Sequence, residues 1–167
     1  MLKFYRMVTR QSAGVLLYRL KNKALEVLLV HPGGPFWKNK DAGSWSIPKG
    51  EFLPGENALD AAKRELQEEI GIAFDGHFIE LSPVKQKSGK FVYAWALEAD
   101  IDPHNIHSNN FEIEWPPRSG KIQQFPEIDK GEWFSASEGK QKIIGAQSVL
   151  IDELAIKLNL GEAPLKS

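Results

Sequence analysis

Residues 45–72 read WSIPKGEFLPGENALDAAKRELQEEIGI, and they change period part-way along. Pro48, Gly50, Pro54 and Gly55 give the first half a tight loop path. Over roughly 57–70, Ala58, Leu59, Ala62, Leu66 and Ile70 recur at spacings of three and four. That spacing predicts a helix with one apolar face. Asn57 is its expected N-cap, with Asp60 three residues on, and Gly71 its expected C-cap. The segments around it read as strands. A lone amphipathic helix among strands has to bury its face on a sheet.

Two strand-like runs open the chain, SAGVLLYRL (12–20) and LEVLLVH (25–31), with a turn at KNKA between them. HPGGPFWKNKDAGSW (31–45) reads as a long loop, and loops of that length in compact domains usually carry function. Strand signals return at 77–86 and 91–100, Pro-rich sequence interrupts them at 113–126, and Trp133–Phe134 closes the last one. From about Ser137 to Leu160, Ile143, Ile144, Val149, Leu150, Leu154 and Leu158 predict one closing helix, with Gly161 as its stop. The pattern is α+β, or a mixed sheet sandwiched between helices.

At 167 residues the chain is expected to form a single domain, 1–167. The 21 basic and 22 acidic residues leave a formal net charge of −1, which gives no support to a general nucleic-acid or membrane-surface binder. With no cysteine, disulfides and thiolate metal sites are excluded. No apolar run approaches the ~20 residues a membrane span needs, and the N-terminus lacks a signal-peptide core. A cytoplasmic protein is the expectation.

The acids of the helix are its oddity. At about 100° per residue, Glu65, Glu68 and Glu69 share one face. Arg64 sits four before Glu68 and can pair with it, but Glu65 and Glu69 have no cation at spacings of three or four. They also crowd the C-terminal end, where the helix dipole disfavours anions. Two readings stay open on spacing alone, a solvated face and a site for a hard cation such as Mg²⁺, Mn²⁺ or Ca²⁺.

Loop and helix together resemble the Nudix hydrolase family. That family's motif is Gly, five residues, Glu, seven residues, then Arg-Glu-apolar-x-Glu-Glu-x-Gly-apolar. Here Gly50, Glu56, Arg64, Glu65, Leu66, Glu68, Glu69, Gly71 and Ile72 fill every fixed position. At average usage of about 5–7% per fixed residue, a chance match falls far below one in a million. The resemblance implies a Nudix fold, an α/β/α sandwich. It implies hydrolysis of a phosphoanhydride in a nucleoside diphosphate linked to a further group, with Mg²⁺ or Mn²⁺. It assigns Glu65, Glu68, Glu69 and the Gly50 carbonyl to the metal, and Arg64 with Glu56 to bracing the loop.

A further carboxylate, within the motif or outside it, can take the proton of the attacking water. Glu69 is the first choice, and Glu127, six before Trp133, is the candidate outside the motif; Glu112 and Glu114 compete with it. The sequence W-x-x-P-K-G, Trp45 to Gly50, looks like the subgroup acting on dinucleoside polyphosphates such as diadenosine tetraphosphate, and on some inositol pyrophosphates. The latter would call for a more basic surface. Lys49 is the expected phosphate contact. Phe36, Trp37 and Trp115 are loop aromatics able to stack on a base or simply to pack, and Arg118 is a further phosphate candidate. The histidines His31, His77, His104 and His107 have no ligand-like spacing and read as incidental. The expected partner is a small nucleotide-like diphosphate. The alternatives are a pyrophosphohydrolase for nucleoside triphosphates and a Nudix-like module that binds a nucleotide without cleaving it.

Overall fold

The computed structural model describes residues 11–71 and 73–160. The motif's Ile72, the proposed stop at Gly161 and the first ten residues lie outside that range.

The two opening runs form β1 (Gln11–Lys21) and β2 (Ala24–Pro32), an antiparallel hairpin turned at Asn22 and Lys23, both at positive φ. β3 (Lys49–Glu51) pairs with β1, and the predicted helix is α1 (Ala58–Ile70). Its caps are those expected: Asn57 Oδ1 accepts from the Asp60 N–H at 2.8 Å, and Gly71 adopts φ 82° while donating to the Gln67 carbonyl at 2.7 Å. β4 (Ile79–Glu80), β5 (Val84–Lys85) and β6 (Phe91–Glu98) follow, then β7 (Asn110–Glu114), β8 (Ile122–Pro126) and β9 (Ile128–Ser135). The main sheet runs β4-β6-β1-β2-β9. β1 and β6 are parallel and the other pairs antiparallel, so the sheet is mixed.

Alternation along the central strands builds the two cores. Val15, Leu17, Leu28 and Val30 pack with Ala61, Ala62, Leu66 and Ile70 of α1. Leu16, Val27 and Leu29 point to the opposite face, onto Leu150, Ile151 and Leu154. Fully burying one such leucine is worth about 1.5–3 kcal/mol. The layering is the expected α/β/α sandwich.

Two expectations need correction. The tail is not one helix: α2 (Ala136–Lys142) stops at Ile143, and α3 (Ser148–Lys157) starts afresh. Ile143 is buried and extended against Trp45, and the Ile144 N–H donates to the Trp45 carbonyl at 2.7 Å, so the chain leaves helical geometry to seal the 31–45 loop. The strand expected over 77–86 is two short pieces. Between them Pro83 lacks a donor, and the Ser82 N–H turns to the Glu153 carboxylate at 2.9 Å. The Pro-rich stretch becomes the β7–β8 hairpin, a separate two-stranded sheet.

Candidate active site

β3 delivers the site's backbone and α1 its acids. The two elements meet at Gly50: a Cβ built there would stand 2.0 Å from the Glu65 carboxyl carbon and 2.1 Å from Oε2. No residue but glycine lets the loop lie this close to the helix.

Arg64 braces the same junction. Its Nε and Nη2 donate to Glu56 at 2.8 and 3.0 Å, and Nη2 also donates to the Glu51 carbonyl at 2.9 Å. Nη1 donates to Glu65 at 2.7 Å and to Glu68 at 3.2 Å. Glu56 is fixed from behind by the Leu53 N–H at 3.0 Å. Glu65 is therefore not without a cation. The reading of spacings three and four passed over the adjacent residue, whose long guanidinium folds back along the helix.

Glu69 turns the other way. Its Oε2 accepts from the Lys49 N–H at 3.1 Å. Burial first, then the charge of Glu65, hold its carboxyl well above the usual carboxylate range, although Lys49 opposes them. Burial raises Glu65 too, against the pull of Arg64. Lys49 is lowered, chiefly by burial. Among the described residues its ammonium has no ion-pair partner.

A cavity of about 230 Å³ opens here, and Lys49, Glu69, Glu127 and Trp37 all line it. Glu127 stands just before β9, its carboxyl raised by burial and then by the charge of Glu68. Its competitors sit elsewhere: Glu112 and Glu114 lie on the β7–β8 hairpin, where Glu112 accepts from Gln124. Arg118 is exposed in that hairpin's turn, at φ 64°, and does not line the cavity. Phe36 and Trp115 pack edge-to-face on each other, with ring centroids 5.2 Å apart. Trp45 is a core residue, 1% exposed, whose Nε1 donates to Asp41 at 2.8 Å.

His31 is not incidental either. It is buried, with Asp129 and the Lys40 carbonyl on its two ring nitrogens. Nothing in the spacing of the sequence announced that pairing, because the partners lie 98 and 9 residues away.

Among the described residues, no three His, Asp or Glu side chains are gathered closely enough to hold a metal ion. The hydrogen bonds say why: Glu65 and Glu68 converge on Arg64, while Glu69 bonds the Lys49 N–H. The donors nevertheless suit a hard divalent cation. They are carboxylate oxygens beside a glycine cradle, and two of the carboxyls are raised in a way an adjacent cation would reverse.

A family model described as the NUDIX domain matches residues 8–153. The asymmetrical bis(5'-nucleosyl)-tetraphosphatase of Rattus norvegicus is 35% identical over 100 residues, which cover 53% of this chain and 64% of that protein. The RNA pyrophosphohydrolase of Erythrobacter litoralis is 35% identical over 66 residues, 40% of this chain and 36% of that protein. The chain thus spans less than two thirds of either relative. Among solved structures, a C. elegans Ap4A hydrolase binary complex superposes with a TM-score of 0.64 at 20% identity, covering 90% of this chain and 99% of that one. The NUDIX domain of Shewanella oneidensis NrtR, complexed with ADP ribose, superposes at 0.58 with 17% identity, covering 89% and 87%. At these identities the superpositions establish a shared fold.

Proposed function

The chain belongs to the NUDIX family, and from that premise we propose that it is a divalent-metal-dependent pyrophosphohydrolase of nucleoside diphosphate derivatives. Dinucleoside polyphosphates are the favoured substrates, on the W-x-x-P-K-G sequence and the rat tetraphosphatase relative. The observation that carries the reading is the shared cavity of Lys49, Glu69, Glu127 and Trp37, beside the Gly50–Glu65 contact.

Glu65, Glu68 and Glu69, with the Gly50 carbonyl, would hold Mg²⁺ or Mn²⁺. When bound, the cation neutralises a diphosphate and its developing charge. The chain's own groups do the rest. The Lys49 ammonium, without an ion-pair partner among the described residues, meets phosphate oxygens that the acids would otherwise repel. Glu69, whose carboxyl readily keeps a proton, or Glu127 across the cavity, takes the proton of the attacking water. Trp37 offers a ring face to the nucleoside. Arg64 and Glu56 keep β3 seated on α1, so that Gly50 and the acids hold one geometry. The reading takes residues 1–167 as one domain working on small nucleotides in the cytoplasm. Among the described residues no helix is long and apolar enough to cross a membrane.

The test is a panel of nucleoside diphosphate derivatives with Mg²⁺ or Mn²⁺, with products identified by mass. ATP from diadenosine tetraphosphate supports the favoured substrate. Pyrophosphate from a nucleoside triphosphate redirects the reading to a triphosphate pyrophosphohydrolase. Nucleotide binding with no cleavage under either metal makes the chain a binding module.

A further inference from the structure

Beside the cavity lies a buried histidine that this chemistry leaves unused. His31 ends the inward-facing run of β2 and is 2% exposed. The β2–β9 ladder slips at this point: His31 pairs with Lys130 and Pro32 with Ile128, leaving Asp129 as an extra residue. A bulge of this kind re-aims a side chain. Here Asp129 Oδ1 comes to 2.9 Å from His31 Nδ1. The other ring nitrogen, Nε2, lies 2.7 Å from the Lys40 carbonyl oxygen.

Counting protons gives the consequence. A carbonyl oxygen only accepts, so Nε2 carries a hydrogen. An ionised carboxylate also only accepts. A neutral imidazole has one N–H and satisfies one of these partners; an imidazolium satisfies both. The Asp129 side chain is 34% exposed, and Lys130 follows it on the strand.

The two partners adjoin residues that line the cavity, Trp37 on one side and Glu127 and Ile128 on the other. The Lys40 N–H donates to the Trp37 carbonyl at 2.9 Å, so Lys40 closes the turn that carries Trp37. Asp129 is two residues from Glu127, whose carbonyl accepts from the Gly33 N–H at 2.9 Å. We propose that His31 is a positioning residue: as an imidazolium clamped between Asp129 and the Lys40 carbonyl, it holds the Trp37 loop in register with the Glu127 end of β9. Loss of its proton breaks one clamp bond and sets a nitrogen lone pair against the carboxylate. The charged groups around the ring are Asp129 and Lys130 of β9, Lys40 and Asp41 of the loop, and Lys142 of α2, which pairs with Asp41 at 2.5 Å. Of these, Asp129 is the one bonded to the ring.

The clamp rests on the hydrolase reading only in its kinetic arm. Amide hydrogen exchange over residues 37–44 and ¹⁵N spectra of the His31 ring are followed from about pH 5.5 to 9, across the range in which histidines titrate. In the wild type, exchange of these amides should speed up roughly tenfold in step with loss of the ring proton, the worth of about one charge-assisted hydrogen bond. Two variants separate a clamp from plain structural damage. In Asp129→Asn the amide can donate to a neutral ring, and in His31→Gln the NH₂ group can donate to both acceptors without charge. Both should keep slow exchange at high pH and lose the step. In kinetics, KM should rise with pH in the wild type more than kcat falls, and stay flat in Asp129→Asn. Titration of the ring without a change in exchange would overturn the clamp, as would a step of equal size in Asp129→Asn. If no substrate is cleaved by any form, the hydrolase reading fails while spectra and exchange still decide the clamp.

Discussion

The Lys49 backbone N–H donates to Glu69 Oε2 at 3.1 Å, tying β3 to the last turn of α1. One residue thus serves the site twice, holding an acid with its backbone and facing the cavity with its ammonium. It also leaves Glu69 a half-buried carboxylate beside Glu65.

Stability should therefore depend on pH through Glu69. Its folded-state carboxyl is raised above the ordinary 4.5, so in that window the folded chain keeps a proton that the unfolded chain has lost. Stability then falls as pH rises through the window. In metal-free buffer Glu69→Gln should melt above the wild type at about pH 8, and the gap should close near pH 4. Saturating Mg²⁺ should narrow the gap by lowering the wild-type carboxyl. Identical melting curves across the range would refute the assignment of strain to this group.

Turnover should respond in the opposite sense. Glu69→Gln and Glu68→Gln should each lower kcat by about 10²-fold or more, since on the proposed reading each removes a charge that would hold metal or take a proton. Circular dichroism should show the fold retained. Undiminished hydrolysis in both would remove these acids from the mechanism.

Two glycines offer a paired test. Gly50→Ala forces a methyl to within 2.0 Å of the Glu65 carboxyl, whereas at Gly55, with φ +76°, a Cβ meets nothing within 4 Å. Gly55→Ala should cost about 1 kcal/mol of stability and leave metal affinity alone. Gly50→Ala should cost about 1–3 kcal/mol and weaken Mg²⁺ binding, read by calorimetric titration.

Arg64→Lys keeps the charge and loses the fork. A point ammonium cannot serve Glu56 through two donors while also reaching Glu65, Glu68 and the Glu51 carbonyl. Denaturant titration should show a loss of about 2 kcal/mol. A variant as stable as the wild type would mean that the loop is held by other contacts.

Much of the architecture was legible because it is written in short-range patterns. Apolar runs and turn signals located β1, β2 and β6, spacings of three and four located α1, and Asn57 and Gly71 marked the helix ends through chemistry confined to one turn. The motif was legible for the same reason, its fixed residues falling within one loop and one helix. The tail was misread because its local pattern is helical throughout. What stops α2 is a contact with Trp45, about a hundred residues earlier. The 77–86 strand failed likewise, at a serine whose N–H is taken by Glu153 of α3.

The candidate site divides along the same line. From the sequence alone came the acids, their shared helical face and the glycine before them, since helix geometry places residues three and four apart together. Tertiary structure alone decided which acids bond Arg64 and which bonds Lys49, that Glu127 and Trp37 share a cavity with Glu69 and Lys49, and that His31 meets Asp129. Those relations join residues brought together by sheet pairing and loop closure, and no local spacing encodes the distance between two strands' ends.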